Sequence, residues 1–391
     1  MVARTHTRRV EGIDVARGVA SLIMILGHAY HGWVAPEHRD GAYAFTRVLG
    51  TFPLPAFLLL AGAAVTWRVH AAAERDENPR AVRRSLLKRG AQVVLYGYLM
   101  SFAYALIDGV PSWHALFRAD VLHVIGLSIL LGGVLLGNAL DTGRLALRSV
   151  GVGVVMTLAC PWLSALDPPV GIVTGLFVDA APFTRMPLVP LFAWFAVGTA
   201  AAQWMLVARA RSAAVLVPER RAGAPTRMLV SLLLVGVLAA VAGQQLFLHQ
   251  LGDDPASRAH PAIVWNVVDL AGRGCVVLAL GALLSLRIPD RPRRALVRLG
   301  RGSLVAYVVH IPFCYGRLGG PLVGESTMLE ATLALVVLIA ISWSAVYAWD
   351  AFKAEIRLRN ASMASRAAGS PRNATRSEAA PARRDPTRGS G

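Results

Sequence analysis

GIDVARGVASLIMILGHAYHGWV, residues 12–34, decides how the rest of the chain is read. At 1.5 Å per residue a helix over this stretch is about 34 Å long, enough to cross a hydrocarbon core of about 30 Å. A lone strand in lipid would leave its backbone N–H and C=O groups without partners, so the segment reads as a transmembrane helix. Comparable apolar runs follow at 50–69, 90–107, 120–138, 150–166, 187–208, 228–248, 263–286, 302–318 and 328–349, of which 302–318 is short and flanked by Gly and Pro. The fold class is therefore all-α: a polytopic membrane protein of about ten transmembrane helices. A cytoplasmic arm is expected at 1–11, a transmembrane domain at 12–350, and a basic, disordered cytoplasmic tail at 351–391, where large apolar residues are scarce.

Composition agrees. Of 391 residues 55% are hydrophobic and 16% charged, more apolar surface than a water-soluble core of this size carries. The net charge of +17 would suit a nucleic-acid partner if its cations formed one face. They fall between the apolar runs instead. With the N-terminus in the cytoplasm, 32 of the 40 Lys and Arg lie in inner segments and the tail, and six lie outside: Arg39, Arg47, Arg118, Arg185, Arg258 and Arg317. That asymmetry predicts cytoplasmic N and C termini, a multi-pass protein of the inner (cell) membrane, the lipid bilayer as partner, and no nucleic acid. Cys160, Cys275 and Cys314 form no CxxC pair, so neither a disulfide framework nor a metal site is expected. The segment 167–186, with its apolar stretch GIVTGLFVDA, reads equally as an outer loop or a re-entrant dip.

Charged groups inside spans are costly and are by default functional hypotheses. At 100° per residue, with Asp14 at 0°, Arg17 falls at about 300°, His28 at about 320° and His31 at about 260°, so all four share one face that cannot meet lipid. Arg17 and His28 are about 16 Å apart along the axis. Asp14 and Arg17 as an edge-of-membrane ion pair, with His28 as an interhelical hydrogen bonder, accounts for them structurally. The functional alternative makes His28 a base, a neutral imidazole able to accept a proton.

GIDVARGVASLIMILGHAYH, with Arg17 and His28 eleven positions apart, resembles the first-helix signature of the transmembrane acyltransferase superfamily. That superfamily includes acyltransferase-3 proteins and the heparan-alpha-glucosaminide N-acetyltransferase catalytic domain. FPLPAFLLLAG at 52–62, LLKRGAQVVLYGYL at 86–99 and DVLHVIGLSILL at 120–131 resemble the second, third and fourth helices of the latter branch. LGRGSLVAYVVHIPF at 299–313, with Ser303, Tyr307 and His310, is similar to the superfamily's serine, tyrosine and histidine helix. The large luminal portions of the animal enzyme have no counterpart here, so heparan is not carried over as acceptor.

The resemblance implies a membrane-bound acyltransferase that moves an acetyl or other acyl group from cytoplasmic acyl-CoA to a sugar amine or hydroxyl at the outer face. Acetyl-CoA would be a co-substrate, with no tightly bound cofactor, and the acceptor an envelope glycan or glycolipid. His28 matches the family's catalytic histidine, as general base or as transient acyl carrier, the base being favoured. Arg17 could contact the donor or anchor Asp14.

Further candidates follow from helical spacing. His123 lies one turn after Asp120 and could meet acceptor hydroxyls, or simply belong to a solvated helix end. Ser303, Tyr307 and His310 share a face, suggesting a substrate-cavity wall or an interhelical network. Asn266, Asp269 and Arg273 also share a face, with Asp269 and Arg273 spaced as an i,i+4 pair lining the same cavity. Arg83, Arg84, Lys88 and Arg89 offer charge to coenzyme A phosphates or to inner-leaflet lipid. Arg17, His28, His123 and His310 are expected to converge on one cavity open toward the cytoplasm. A transporter or channel with a polar stripe along its path is the competing function, against which stands the lack of an internal repeat. No Walker loop, GxGxxG or HExxH occurs. A homodimer is compatible with these features.

Overall fold

The computed structural model describes residues 11–108, 113–165, 171–178, 186–214, 218–250 and 261–368. These form helices α1 (Glu11–Trp33), α2 (Gly41–Gly50), α3 (Pro53–Ala73), α4 (Pro79–Asp108), α5 (Trp113–Phe117), α6 (Val121–Leu136) and α7 (Thr142–Ala165) in the first half. They continue with α8 (Ile172–Phe177), α9 (Leu188–Ala214), α10 (Pro218–Gln250), α11 (Pro261–Arg287), α12 (Asp290–Arg301), α13 (Ser303–Tyr315) and α14 (Met328–Ala368). The all-α class holds.

Eight helical stretches, in α1, α2 with α3, α4, α7, α9, α10, α11 and α14, are long and apolar enough to cross a membrane, as a multi-pass membrane protein requires. Two expected spans are shorter apolar helices: α6 with 16 residues and α13 with 13, roughly 24 and 20 Å long. Each has an identifiable stop. Gly137, at φ +69°, ends α6, and α13 is confined between Gly302 and Gly316.

Three of the segments between the expected spans contain helix. The stretch 35–49 contains α2, whose first turn is capped by the Asp40 carboxylate accepting from Tyr43 N–H at 3.0 Å. Within 167–186 lies the short helix α8 (Ile172–Phe177), while 167–170 and 179–185 lie outside the described residues. The loop between α11 and α13 is the amphipathic helix α12, with Val297 and Leu299 buried and Arg291 and Arg294 exposed.

Residues Met1–Val346 form one unit and Tyr347–Gly391 another. In the second unit 351–368 are helical, where a disordered tail was expected; the rest of the tail lies outside the described residues. Extending an existing helix avoids the nucleation cost. This stretch is also rich in Ala, Arg, Lys and Glu and carries the pairs Asp350 with Lys353 (2.8 Å) and Glu355 with Arg359 (2.5 Å).

Within the first unit, small residues let backbones touch. A Cβ on Gly198 of α9 would enter the Leu59 carbonyl of α3, and one on Gly62 of α3 would enter the Phe195 carbonyl of α9. Gly18 of α1 meets the Leu296 carbonyl of α12 in the same way, and Gly300 of α12 meets that of Asp14. Glycine at 18 and 62 thus packs helices, as its position in the spans suggests. Around these contacts Leu58, Phe192, Trp194 and Phe195 are buried, whereas Leu234, Val235 and Leu238 on α10 and Val154, Val155 and Leu158 on α7 face outward, as lipid-exposed surfaces do.

Candidate active site

The polar face of α1 meets protein along its length. Asp14, 2% exposed, lies 3.0 Å from Arg301 Nε at the end of α12 and 3.5 Å from Arg17 Nη1. Five residues before its C-terminal Trp33, α1 brings His28 against α13, where His28 Nδ1 is 2.8 Å from His310 Nε2. The two rings are nearly parallel, 12° apart, with centroids at 5.1 Å.

The proton positions follow from the bonding pattern. His310 is fully buried, and its Nδ1 lies 2.7 Å from the Ala306 carbonyl one turn earlier on α13. A carbonyl only accepts, so Nδ1 of His310 carries the proton and, in the neutral ring, Nε2 is an acceptor. His28 Nδ1 must then donate to it, which makes Nε2 the lone-pair nitrogen of the neutral His28 ring. The order Ala306 C=O, His310, His28 is a directional hydrogen-bond chain that fixes one tautomer.

Aromatic side chains hold the pair. Tyr315 sets its edge against both His28 and His31, with its hydroxyl 3.1 Å from His31 Nδ1. Tyr307 makes an edge contact with His310 at 5.8 Å.

His28 and Tyr307 line a cavity of about 1490 Å³. Asp269 and Arg273 of α11 stand in the same wall, joined by two bonds, Nε to Oδ1 at 2.7 Å and Nη2 to Oδ2 at 2.8 Å. The guanidinium also reaches Thr51 and Gln244 and sits over the Phe52 ring at 5.6 Å. One side chain therefore ties α11 to α10 and to the turn between α2 and α3. Asn266, one turn before Asp269, faces the same space.

The expected convergence is only partly met. His28, Tyr307, Asp269 and Arg273 share the cavity and His310 stands behind His28, but Arg17, Asp14, His123 and Ser303 are not in its wall. Arg17 lies too far toward the start of α1 and faces Asp14. Ser303 opens α13, two turns from His310. His123 is fully buried and closes the N-terminus of α6: its Nδ1 accepts from Asp120 N–H at 3.1 Å while Asp120 Oδ1 accepts from Val121 N–H at 2.7 Å. Its ring lies on the backbone of Gly97, with the Tyr98 ring at 4.3 Å. Asp120 itself does reach the cavity. Arg84, Lys88 and Arg89 are exposed near the start of α4, about 24 Å along its axis from the cavity-lining Tyr104. The cavity is built where α1, α4, α10 and α13 end and α6 and α11 begin, the side that the charge pattern assigns to the outside. A cavity open toward the cytoplasm was expected; the cavity found lies at the end of the bundle away from the start of α1, with His28 and not Arg17 as the polar residue of α1 in its wall.

Sequence reasoning missed Tyr104, Tyr315, Arg301 and the arginines Arg47, Arg118 and Arg317, all three of which line the cavity. Pro312 was the available signal for Tyr104, since a proline in α13 leaves the carbonyl four residues back in need of a donor.

Residues 9–239, more than half of the chain, match the family model described as heparan-alpha-glucosaminide N-acetyltransferase, catalytic. The match takes in His28, Tyr104 and Asp120 and ends within α10, before α11 and α13. No match was found among curated proteins.

Proposed function

Because the chain belongs to the heparan-alpha-glucosaminide N-acetyltransferase, catalytic, family, we propose that it transfers an acetyl or other acyl group from acyl-CoA to an amine or hydroxyl of a sugar. Membership makes it a membrane transferase of the acetyltransferase type; donor, acceptor and the role of His28 are the proposal. His28 Nε2 takes the proton from the acceptor as its N or O attacks the thioester carbonyl. The C–S bond breaks as the new bond to N or O closes, and the imidazolium returns its proton to the departing coenzyme A sulfur. His310 accepts from His28 Nδ1–H throughout and so steadies the positive charge between the two steps.

The observation that carries this reading is the 2.8 Å contact of His28 with a buried, carbonyl-anchored His310, beside a large cavity. The exposed Arg84, Lys88 and Arg89 offer charge to the coenzyme A phosphates at the other end of the bundle. Cytoplasmic acyl-CoA on that side and an envelope glycan or glycolipid on the cavity side give the enzyme two faces.

The test is label transfer from radiolabelled acetyl-CoA to a membrane glycan extract by the purified full chain and by His28→Ala. Loss of a general base predicts a fall of about 10²- to 10⁴-fold, with the variant's melting temperature in detergent as a folding control. Transfer at the wild-type rate would remove the mechanism.

A further inference from the structure

Two helices share one stretch of the wall around the cavity that holds His28: α4 lines it with Met100, Ser101, Tyr104 and Ala105, and α13 with Tyr307 and Ile311. Each packs its backbone elsewhere, α4 on α6, and α13 on α1 and α12. Among the described residues the backbones of α4 and α13 make no comparable approach to each other. Side chains close the space between them. Met100 and Tyr104 join Leu304, Tyr307 and Ile311 in one apolar cluster, and the Tyr104 hydroxyl bonds the Val308 carbonyl at 2.9 Å.

The outer surface of the bundle begins directly beyond this seam. Val308 is 40% exposed. With Tyr104 at 0°, Gly90, which touches α6 at Gly126, falls at about 40°, while Ala103 and Ile107 fall at about 260° and 300°, on the other flank. Both are exposed. Tyr104, Ala103 and Ile107 belong to a stretch of α4 long and apolar enough to cross a membrane, so a surface exposed there meets lipid. A wall one side chain thick therefore parts the cavity from the bilayer. The lining itself is of two kinds. Met24, Phe57, Met100 and Ile311 are apolar and belong to the seam's cluster, whereas α10 and α11 contribute Gln244, Asn266, Asp269 and Arg273. A free sugar has a use for the second set alone, and a sugar joined to a hydrocarbon chain has a use for both.

We infer that the acceptor is a lipid-linked sugar that enters sideways from the bilayer through the seam between α4 and α13, Tyr104 turning aside to admit its chain while the sugar's amine or hydroxyl faces His28. The inference rests on the acyl-transfer reading for the fate of the sugar, and the route is tested apart from it. The probes are hexadecyl glucosaminide and methyl glucosaminide, the same sugar with and without a long chain, given to the full chain in lipid nanodiscs. With p-benzoylphenylalanine in place of Val308, radiolabelled hexadecyl glucosaminide is expected to crosslink on illumination, and excess unlabelled hexadecyl glucosaminide to abolish the label where excess hexadecanol does not. The same photoreactive residue in place of Val155, on the outward face of α7, should take up label that neither competitor removes. In turnover, hexadecyl glucosaminide should have a kcat/KM at least about tenfold above that of methyl glucosaminide. Ala103→Trp, which fills the mouth of the seam from the lipid side, should remove that advantage and leave the methyl acceptor unchanged. No competed label at position 308, label cleared equally by hexadecanol, or an advantage that survives Ala103→Trp overturns the inference. Methyl glucosaminide acylated as well as hexadecyl glucosaminide, with no competed label, would remove the lipid route and keep the acyltransferase. Competed label at position 308 without transfer to either sugar would keep the route and remove acyl transfer.

Discussion

Tyr104 of α4 donates its hydroxyl hydrogen to the Val308 carbonyl of α13 at 2.9 Å. Val308 is four residues before Pro312, and proline has no N–H to return to it, so the carbonyl is an orphan that a neighbouring helix satisfies. The bond spans the cavity wall just beside His310, and Tyr104→Phe removes only its donor. A loss of about 0.6 kcal/mol is expected, the average for interhelical hydrogen bonds in membranes. Unfolding in detergent measures it, and a loss above about 2 kcal/mol would mean that the tyrosine does more than serve one carbonyl.

His310 is expected to act as a positioning residue for His28. His310→Phe keeps a ring to stack on His28 but offers no acceptor for Nδ1–H, so the His28 ring is free to present the wrong tautomer. The prediction is a fall in kcat of about 10²-fold, at the lower end of general-base contributions, with the KM for acetyl-CoA unchanged. His310→Gln, whose amide oxygen can accept, should recover part of it. A rise in KM with kcat intact would place His310 in substrate binding instead.

Much of this was legible before any coordinates. The apolar runs announce themselves because hydrocarbon admits few other structures, and the face shared by Asp14, Arg17 and His28 follows from helical period alone. Partners were not legible, because the residue that meets His28 is 282 positions away and Arg301, which meets Asp14, is 287 away; periodicity orders a helix but does not choose its neighbour. His123 was misjudged because a histidine one turn into a helix reads the same whether it faces solvent or closes a cap, and the backbone geometry at Asp120 decides. The six outer arginines were counted as exceptions to a rule, while the gathering of three of them at one cavity is a tertiary fact.

Asp269 and Arg273 illustrate a buried pair whose parts are worth little alone. Their side chains are 6% and 12% exposed, and Asp269→Leu would leave the guanidinium without its carboxylate. Breaking such a pair costs about 3–5 kcal/mol, while replacing both partners by apolar groups can be close to neutral. Asp269→Leu should therefore destabilise the protein far more than the double change Asp269→Leu with Arg273→Met. Additive losses in denaturant unfolding would show that the two side chains act independently.

The side of the membrane on which each end of the bundle lies can be read by labelling. Cys160, Cys275 and Cys314 are all buried, so a membrane-impermeant maleimide has little background to react with, and serine at all three positions removes the rest. Arg84→Cys and Arg317→Cys then place one thiol near the start of α4 and one at the rim of the cavity, both at exposed positions. The distribution of cations predicts that Arg84→Cys reacts only in inside-out vesicles and Arg317→Cys only in right-side-out ones. Reaction of both from the same face would contradict the topology and the transfer scheme together, since donor and acceptor would then meet the protein on one side. Reaction from opposite faces but in the reverse sense would keep a two-sided enzyme and put the cavity in the cytoplasm, with acyl-CoA and acceptor exchanging places.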